Sequence, residues 1–117
     1  MKLHMSSFGE IEVDGERFEY DLVIERGKLR KRQKKPSKAF REGYGHTPLS
    51  AKETIPWHGT QLYIGTGMYG RLPVMPEVYA EARSRGVDVV AAPTPQICEA
   101  LAKLNARDVN AILHVTC

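Results

Sequence analysis

Residues 61–70 read Gln61-Leu62-Tyr63-Ile64-Gly65-Thr66-Gly67-Met68-Tyr69-Gly70. Gln61–Ile64 has the length and the aromatic and β-branched content of a buried strand, and it runs into the turn-forming Gly65. The next regular stretch, Pro76 to Arg85, predicts a helix. Pro76 suits its first turn, Glu77 and Glu81 lie toward its positive end, Arg83 and Arg85 lie toward its negative end, and Gly86 supplies a left-handed stop. Val87 to Ala92 predicts a second strand. Thr94-Pro95 then opens a second helix, with Thr94 as its cap and Ile97, Ala100, Leu101 and Leu104 on one apolar face, ending near Asn105. Asn110 to Val115 is the last strand. The pattern is β-α-β-α-β over about residues 61–116, with crossovers long enough for parallel strands and a right-handed sense expected.

Toward the N-terminus the periodicity changes. Residues 8–32 alternate apolar and polar side chains around Asp14-Gly15 and Arg26-Gly27, which predicts an antiparallel meander of two or three strands. Residues 33–58 contain Pro36, Gly43, Gly45, Pro48 and Pro56 with few apolar residues at any period, so an irregular loop region is expected there. Within it, Ser50-Ala51-Lys52-Glu53 has the form of a capping box and predicts a short helical turn near 51–54. The 117 residues fit one domain, a layered α/β fold made of a 1–32 meander, a 33–58 basic loop region and a 59–117 βαβαβ unit.

In parallel sheets, ligands bind outside the carboxyl ends of the strands. That rule selects Gly65-Thr66-Gly67-Met68-Tyr69-Gly70, Ala92-Pro93-Thr94 and His114-Val115-Thr116-Cys117. The candidate ligand-binding residues are therefore Gly65, Thr66, Gly67, Gly70, Thr94, His114 and Cys117. The first segment matches G-x-G-x-x-G, whose glycines can turn backbone N–H groups toward a phosphate. Against a dinucleotide, Arg71 to Met75 intervene before the helix, and Ala91-Ala92 stand where a ribose-binding acid belongs. A glycine turn shaped for the backbone, or a site for another small anion, fits better. His114 and Cys117 would point to opposite faces if the strand continued, because their offset is three against a period of two. Their pairing therefore predicts no catalytic dyad. Cys98 lies beside the apolar face of the second helix and reads as structural.

Charge is concentrated. Lys28, Arg30, Lys31, Arg32, Lys34, Lys35, Lys38 and Arg41 are eight of the 17 basic residues, in a stretch without an acid, although the whole chain carries only +3. Such a run can track phosphates, so a nucleic-acid interface through Lys28, Arg30, Lys31, Arg32, Lys34 and Lys35 is one alternative. A solvated strand followed by a charged loop is the other. Only Phe40 and Tyr44 offer bases an aromatic surface. Trp57 reads as a core plug. The four histidines and two cysteines lack zinc-site spacing, so neither metal nor cofactor is predicted. No apolar run reaches the roughly 18 residues of a membrane span, and the start has no apolar signal region, so a cytoplasmic protein with free thiols and no membrane contact is expected.

Phe8-Gly9-x-Ile11, Gly15, Asp21-Leu22-Val23-Ile24, Gly45-His46, Leu62 to Gly67, Pro93-Thr94 and the closing His114-x-Thr116-Cys117 form an ordered set that spans almost the whole chain. In these residues the chain resembles the adipogenesis-associated domain family, which shares a superfamily with the mitochondrial complex I assembly factor three. The resemblance implies a three-layer α/β fold with a central parallel sheet. It implies assembly or regulatory roles and no established enzyme activity, and no residue role travels with it. The chain is expected to differ from the mitochondrial branch in lacking a presequence, and its basic 28–41 segment is not a feature of the family as a whole. The expectation is a non-catalytic binding, assembly or regulatory protein with a protein partner and a small-ligand or anion pocket at the carboxyl edge of the sheet. Enzymatic activity stays open, with the balance against it. One alternative is a nucleotide- or anion-dependent enzyme or sensor using the Gly65–Gly70 loop; the other is the nucleic-acid binder.

Overall fold

In the computed structural model, which describes residues 1–117, the chain forms eight strands and three α-helices. The strands are β1 (Leu3–Ser7), β2 (Glu10–Val13), β3 (Glu16–Phe18), β4 (Leu22–Glu25), β5 (Lys28–Lys31), β6 (Gln61–Thr66), β7 (Asp88–Ala92) and β8 (Asn110–His114). The helices are α1 (Arg41–Tyr44), α2 (Pro76–Ser84) and α3 (Thr94–Leu101), with 3-10 turns at Lys35–Phe40 and Ala106–Asp108.

The two predicted turns form for the expected reason. Asp14-Gly15 takes φ of 50° and 86°, and Arg26-Gly27 takes 50° and 81°. Two successive positive φ values match the right-handed twist of the strands they join. They set Val13 opposite Glu16 and Glu25 opposite Lys28.

The single meander expected over residues 8–32 is instead divided. β1, β2 and β3 form their own antiparallel sheet, whereas β4 and β5 join a five-stranded sheet of order β5-β4-β8-β6-β7. That sheet is mixed rather than parallel. β6 pairs in parallel with both β7 and β8, and β4 lies antiparallel along the other side of β8, with Leu22 opposite Leu113 and Ile24 opposite Ala111. β8 is buried on both faces, so its second edge needs a partner, and the β4–β5 hairpin supplies one.

Strand alternation divides the core in two. Leu22, Ile24, Tyr63, Ala111 and Leu113 pack with Met5, Ile11 and Val13 of the small sheet and with Ile97, Cys98 and Leu101 of α3. Val23, Leu62, Ile64 and Ile112, on the other face, pack with Leu49, Leu72 and with Val78 and Ala82 of α2. Trp57 packs against this second cluster under the guanidinium of Arg85, 5.4 Å from its ring centroid, rather than plugging the core outright.

Two local expectations are corrected. Thr94 is not a side-chain cap: Pro93 stands at the N-cap of α3, and the Thr94 hydroxyl bonds elsewhere. Residues 51–54 form a turn, closed by Glu53 N–H to the Ser50 carbonyl at 3.3 Å, not a helical turn. The Glu53 carboxylate does not reach back to Ser50 N–H as in a capping box; it is held by Arg32. Regular structure in the 33–58 region lies earlier, over Lys35–Tyr44.

Candidate functional site

The three segments selected from the sequence do meet at one sheet edge. Gly67 N–H donates to Thr94 Oγ1 at 2.9 Å, and Thr94 Oγ1–H donates to the His114 carbonyl at 2.6 Å. The meeting is a backbone joint. Met68 N–H donates to the Thr116 carbonyl at 2.7 Å, Arg71 N–H to the Cys117 carbonyl at 3.0 Å, and Tyr69 N–H to that same carbonyl at 3.3 Å. Gly70 N–H returns to the Gly67 carbonyl at 3.2 Å. The N–H groups expected to face a phosphate therefore face the protein's own chain. Gly67 sits at φ 103°, and a Cβ on it would lie 2.2 Å from the Cys117 carbonyl carbon. A Cβ on Gly65 would lie 2.7 Å from Thr94 Oγ1. These glycines permit close approach of backbone to backbone. Gly65, Thr66, Gly67, Gly70 and Thr94 do not line the neighbouring cavity.

That cavity has a volume of about 280 Å³ and opens beside the ends of β5, β6 and β8. Of the candidate site residues it takes His114, Cys117, Arg32 and Lys34. Lys38, Arg41, His46, Thr47, Arg71, Leu72 and Thr116 complete its lining, which contains no Asp or Glu. Both His114 and Cys117 reach it because β8 ends at His114, so strand alternation does not govern Cys117. The side chains of Lys34, Lys38, Arg41 and Arg71 are exposed and enter no ion pair. Four like charges around one concave surface repel one another, and a bound anion relieves that repulsion.

The wall of the cavity is a buried charge network. The Arg32 side chain is 1 % exposed. It grips Glu53 through two bonds of 2.8 Å, donates to Asp21 Oδ2 at 2.9 Å and to the Pro48 carbonyl at 3.1 Å. Ser37 Oγ–H donates to Glu53 Oε2 and lies 2.7 Å from Ser50 Oγ. These bonds draw the 3-10 turn at Lys35–Phe40 against the sheet, which places Lys38 and Arg41 over the cavity. Asp21 receives Val115 N–H at 2.9 Å and faces His114 Nδ1 at 2.8 Å. Burial alone would raise its carboxyl pKa. The hydrogen bond and charge of His114, the Val115 N–H and the charge of Arg32 outweigh burial and hold it at about 2. His114 Nε2 in turn lies 3.0 Å from Thr116 Oγ1.

The basic run is thus not one continuous stripe. Lys28 and Arg30 border a separate cleft with Glu25 and His58, Arg32 is internal, and Lys34, Lys38 and Arg41 surround the cavity. Sequence reading missed Asp21, Glu53, Arg71 and Thr116 as site residues. Thr116 stood inside a selected segment, and Asp21 was quoted in the family pattern, but their partners come from distant chain positions. Both cysteines are free. Cys98 is buried in the α3 core cluster, and burial pushes its thiol up to about 12, consistent with a structural role. No helix is long and apolar enough to cross a membrane.

No protein-family model matches the chain, and no curated protein matches it. Among solved structures, the conserved hypothetical protein PH1505 from Pyrococcus horikoshii OT3 is similar over 100% of both chains, with TM-score 0.78 and 29% identity. MT938 is similar over 99% of this chain and 98% of its own, with TM-score 0.73 and 22% identity. The mixed α/β fold described above is thus a fold already seen in solved proteins, matched from end to end.

Proposed function

We propose that this is a binding protein whose cationic cavity takes a small anionic ligand, with a phosphate-bearing molecule as the best fit. One observation carries the reading: Lys34, Lys38, Arg41 and Arg71, none of them in an ion pair, surround a cavity of about 280 Å³ whose lining includes no Asp or Glu. Thr47, Thr116 and the two histidines add neutral or switchable hydrogen-bonding groups, which suits a phosphate with several acceptor oxygens. The glycine loop acts as the scaffold that fixes the cavity edge and not as the cradle. A thermal-shift titration with inorganic phosphate tests this. Saturating phosphate should raise the unfolding midpoint by several degrees at low salt. The double variant Lys34→Ala/Arg71→Ala should abolish that shift while keeping its own cooperative unfolding. An equal shift in wild type and variant would reject the cavity.

The membership in the adipogenesis-associated domain family and the cytoplasmic location belong to the same proposal, as does a three-layer arrangement of the domain. The division of the core into two clusters on opposite faces of the large sheet supports the layering. A second reading, docking of a protein partner, rests on Phe8 and Tyr69. Their rings stack at 6.2 Å between centroids while remaining 54 % and 63 % exposed. Phe8→Ser/Tyr69→Ser should leave phosphate binding intact and remove any partner or self-association seen by analytical ultracentrifugation. Unchanged association would remove this pair from consideration.

A further inference from the structure

Asp21, His114 and Thr116 are 93 and 2 residues apart along the chain, taken pairwise, yet they form one line of hydrogen bonds ending in the cavity. Asp21 is anchored first. Arg32 and Val115 N–H fix its carboxylate from two sides, at 2.9 Å each. An ionised carboxylate has no proton to give, so the His114 proton sits on Nδ1 and points at Oδ2. In the neutral imidazole, Nε2 then carries the lone pair and faces Thr116 Oγ1, 3.0 Å away. A hydroxyl, a base and a group that orients the base stand in sequence. This is the arrangement that activates a hydroxyl nucleophile on unrelated folds.

We infer that Thr116 is a nucleophile, His114 its general base and Asp21 the residue that positions His114, acting on a phosphate monoester held in the cationic cavity. The inference rests on the anion-binding reading above and adds a reaction to it. The lining selects phosphoryl over acyl transfer. Acyl chemistry needs donors aimed at a developing oxyanion, and the glycine-loop N–H groups that would serve are committed to the Thr116 and Cys117 carbonyls. Phosphoryl transfer needs positioning and positive charge around the transferring group, which Lys34, Lys38, Arg41 and Arg71 offer. Their charge also offsets the repulsion between a nucleophilic oxygen and a dianionic phosphate.

The step balances without a redox partner. Thr116 Oγ1 loses its proton to His114 Nε2 and forms a bond to phosphorus as the phosphorus–ester oxygen bond breaks. The leaving oxygen, in line on the far side of phosphorus, departs into the cationic cavity as an anion and takes its proton from solvent, while His114 keeps the Thr116 proton. Water then attacks phosphorus from the vacated side and gives its proton to solvent. The Thr116 oxygen leaves, recovers the proton from His114, and inorganic phosphate is released. His114 and Thr116 touch the reacting group; Asp21 acts through His114.

The test uses the full chain with p-nitrophenyl phosphate, following nitrophenol release and, after acid quench, the mass of the peptide carrying Thr116. Wild-type protein should release nitrophenol with saturation and carry one phosphoryl group on that peptide. Thr116→Val should lose release by about a hundredfold or more, the scale of a lost acid–base and nucleophile pair, while Thr116→Ser restores it. Asp21→Asn should lower turnover more than it raises KM and should flatten the acidic limb of the pH profile. Phosphate binding is measured on the same samples. Saturable phosphate binding with neither release nor adduct in wild type would overturn the relay and leave the binding site standing. Release unaffected by Thr116→Val would do the same. Failure to bind phosphate would overturn the cavity reading and this inference with it.

Discussion

Gly67 and Asp21 carry more of this molecule's organisation than their size suggests. Gly67 sits at φ 103° with the Cys117 backbone where its Cβ would be. Gly67→Ala must therefore move one of two backbones and adopt a conformation costly for any L side chain, so a loss of at least about 2 kcal/mol is expected in denaturant unfolding. Its contribution is structural, and a loss of ligand affinity with unchanged stability would contradict that. Asp21 links stability to pH. Its folded pKa of about 2 lies below the model-peptide 3.8, so the folded state favours the ionised form. The resulting stabilisation, about 2 kcal/mol, is fully present above about pH 5 and is lost as pH falls through 3.8 and then through 2. Thermal unfolding of wild type and Asp21→Asn should differ above that window and converge below it; a constant difference down to pH 2 would disprove the linkage. The glycines announced a close approach in the sequence because glycine is the cue for it. Asp21 carried no such cue: it precedes an apolar strand, and its partner His114 is 93 residues away.

At the scale of elements, the segment from Arg32 to Thr47 matters most. Sequence reading made it an irregular basic loop, because a 3-10 turn has no long period to detect and eight cations look like a solvated face. Folding turns one of those cations inward. Arg32 satisfies Glu53, Asp21 and the Pro48 carbonyl together, with its side chain 1 % exposed. Arg32→Met leaves two buried carboxylates without their guanidinium, so a loss of about 3–5 kcal/mol is expected by denaturant unfolding. A loss below 1 kcal/mol would mean that the network does not hold this segment. The helices and strands after residue 60 were legible, with β7 and β8 close to the expected boundaries, because their periodicity and end signals are local. The pairing of β4 with β8 was not, since it joins residues 22–25 to 110–113 and no local signal records a partner that distant. The same reason hid the separate sheet of β1, β2 and β3, whose buried Leu3, Met5, Ile11 and Val13 close one core against α3.

For the whole molecule, the mixed sheet brings the ends of β5, β6 and β8 and the start of β4 to one edge, and the Lys34–Arg41 segment closes over that edge. A modest net charge of +3 thereby becomes a local excess at one cavity. Binding of an anion there should weaken as salt rises, because Lys34, Lys38, Arg41 and Arg71 are exposed and their attraction is screened over about 10 Å at 0.1 M. The most direct measurement is an amide-resolved NMR titration of the full chain with inorganic phosphate at low salt. Saturable shifts centred on Lys34, Lys38, Arg41, Thr47, Arg71 and Thr116 are expected, lost in Lys34→Ala/Arg71→Ala. Absence of saturable shifts, or shifts confined to Lys28 to Lys31 of β5, would contradict the anion-binding reading.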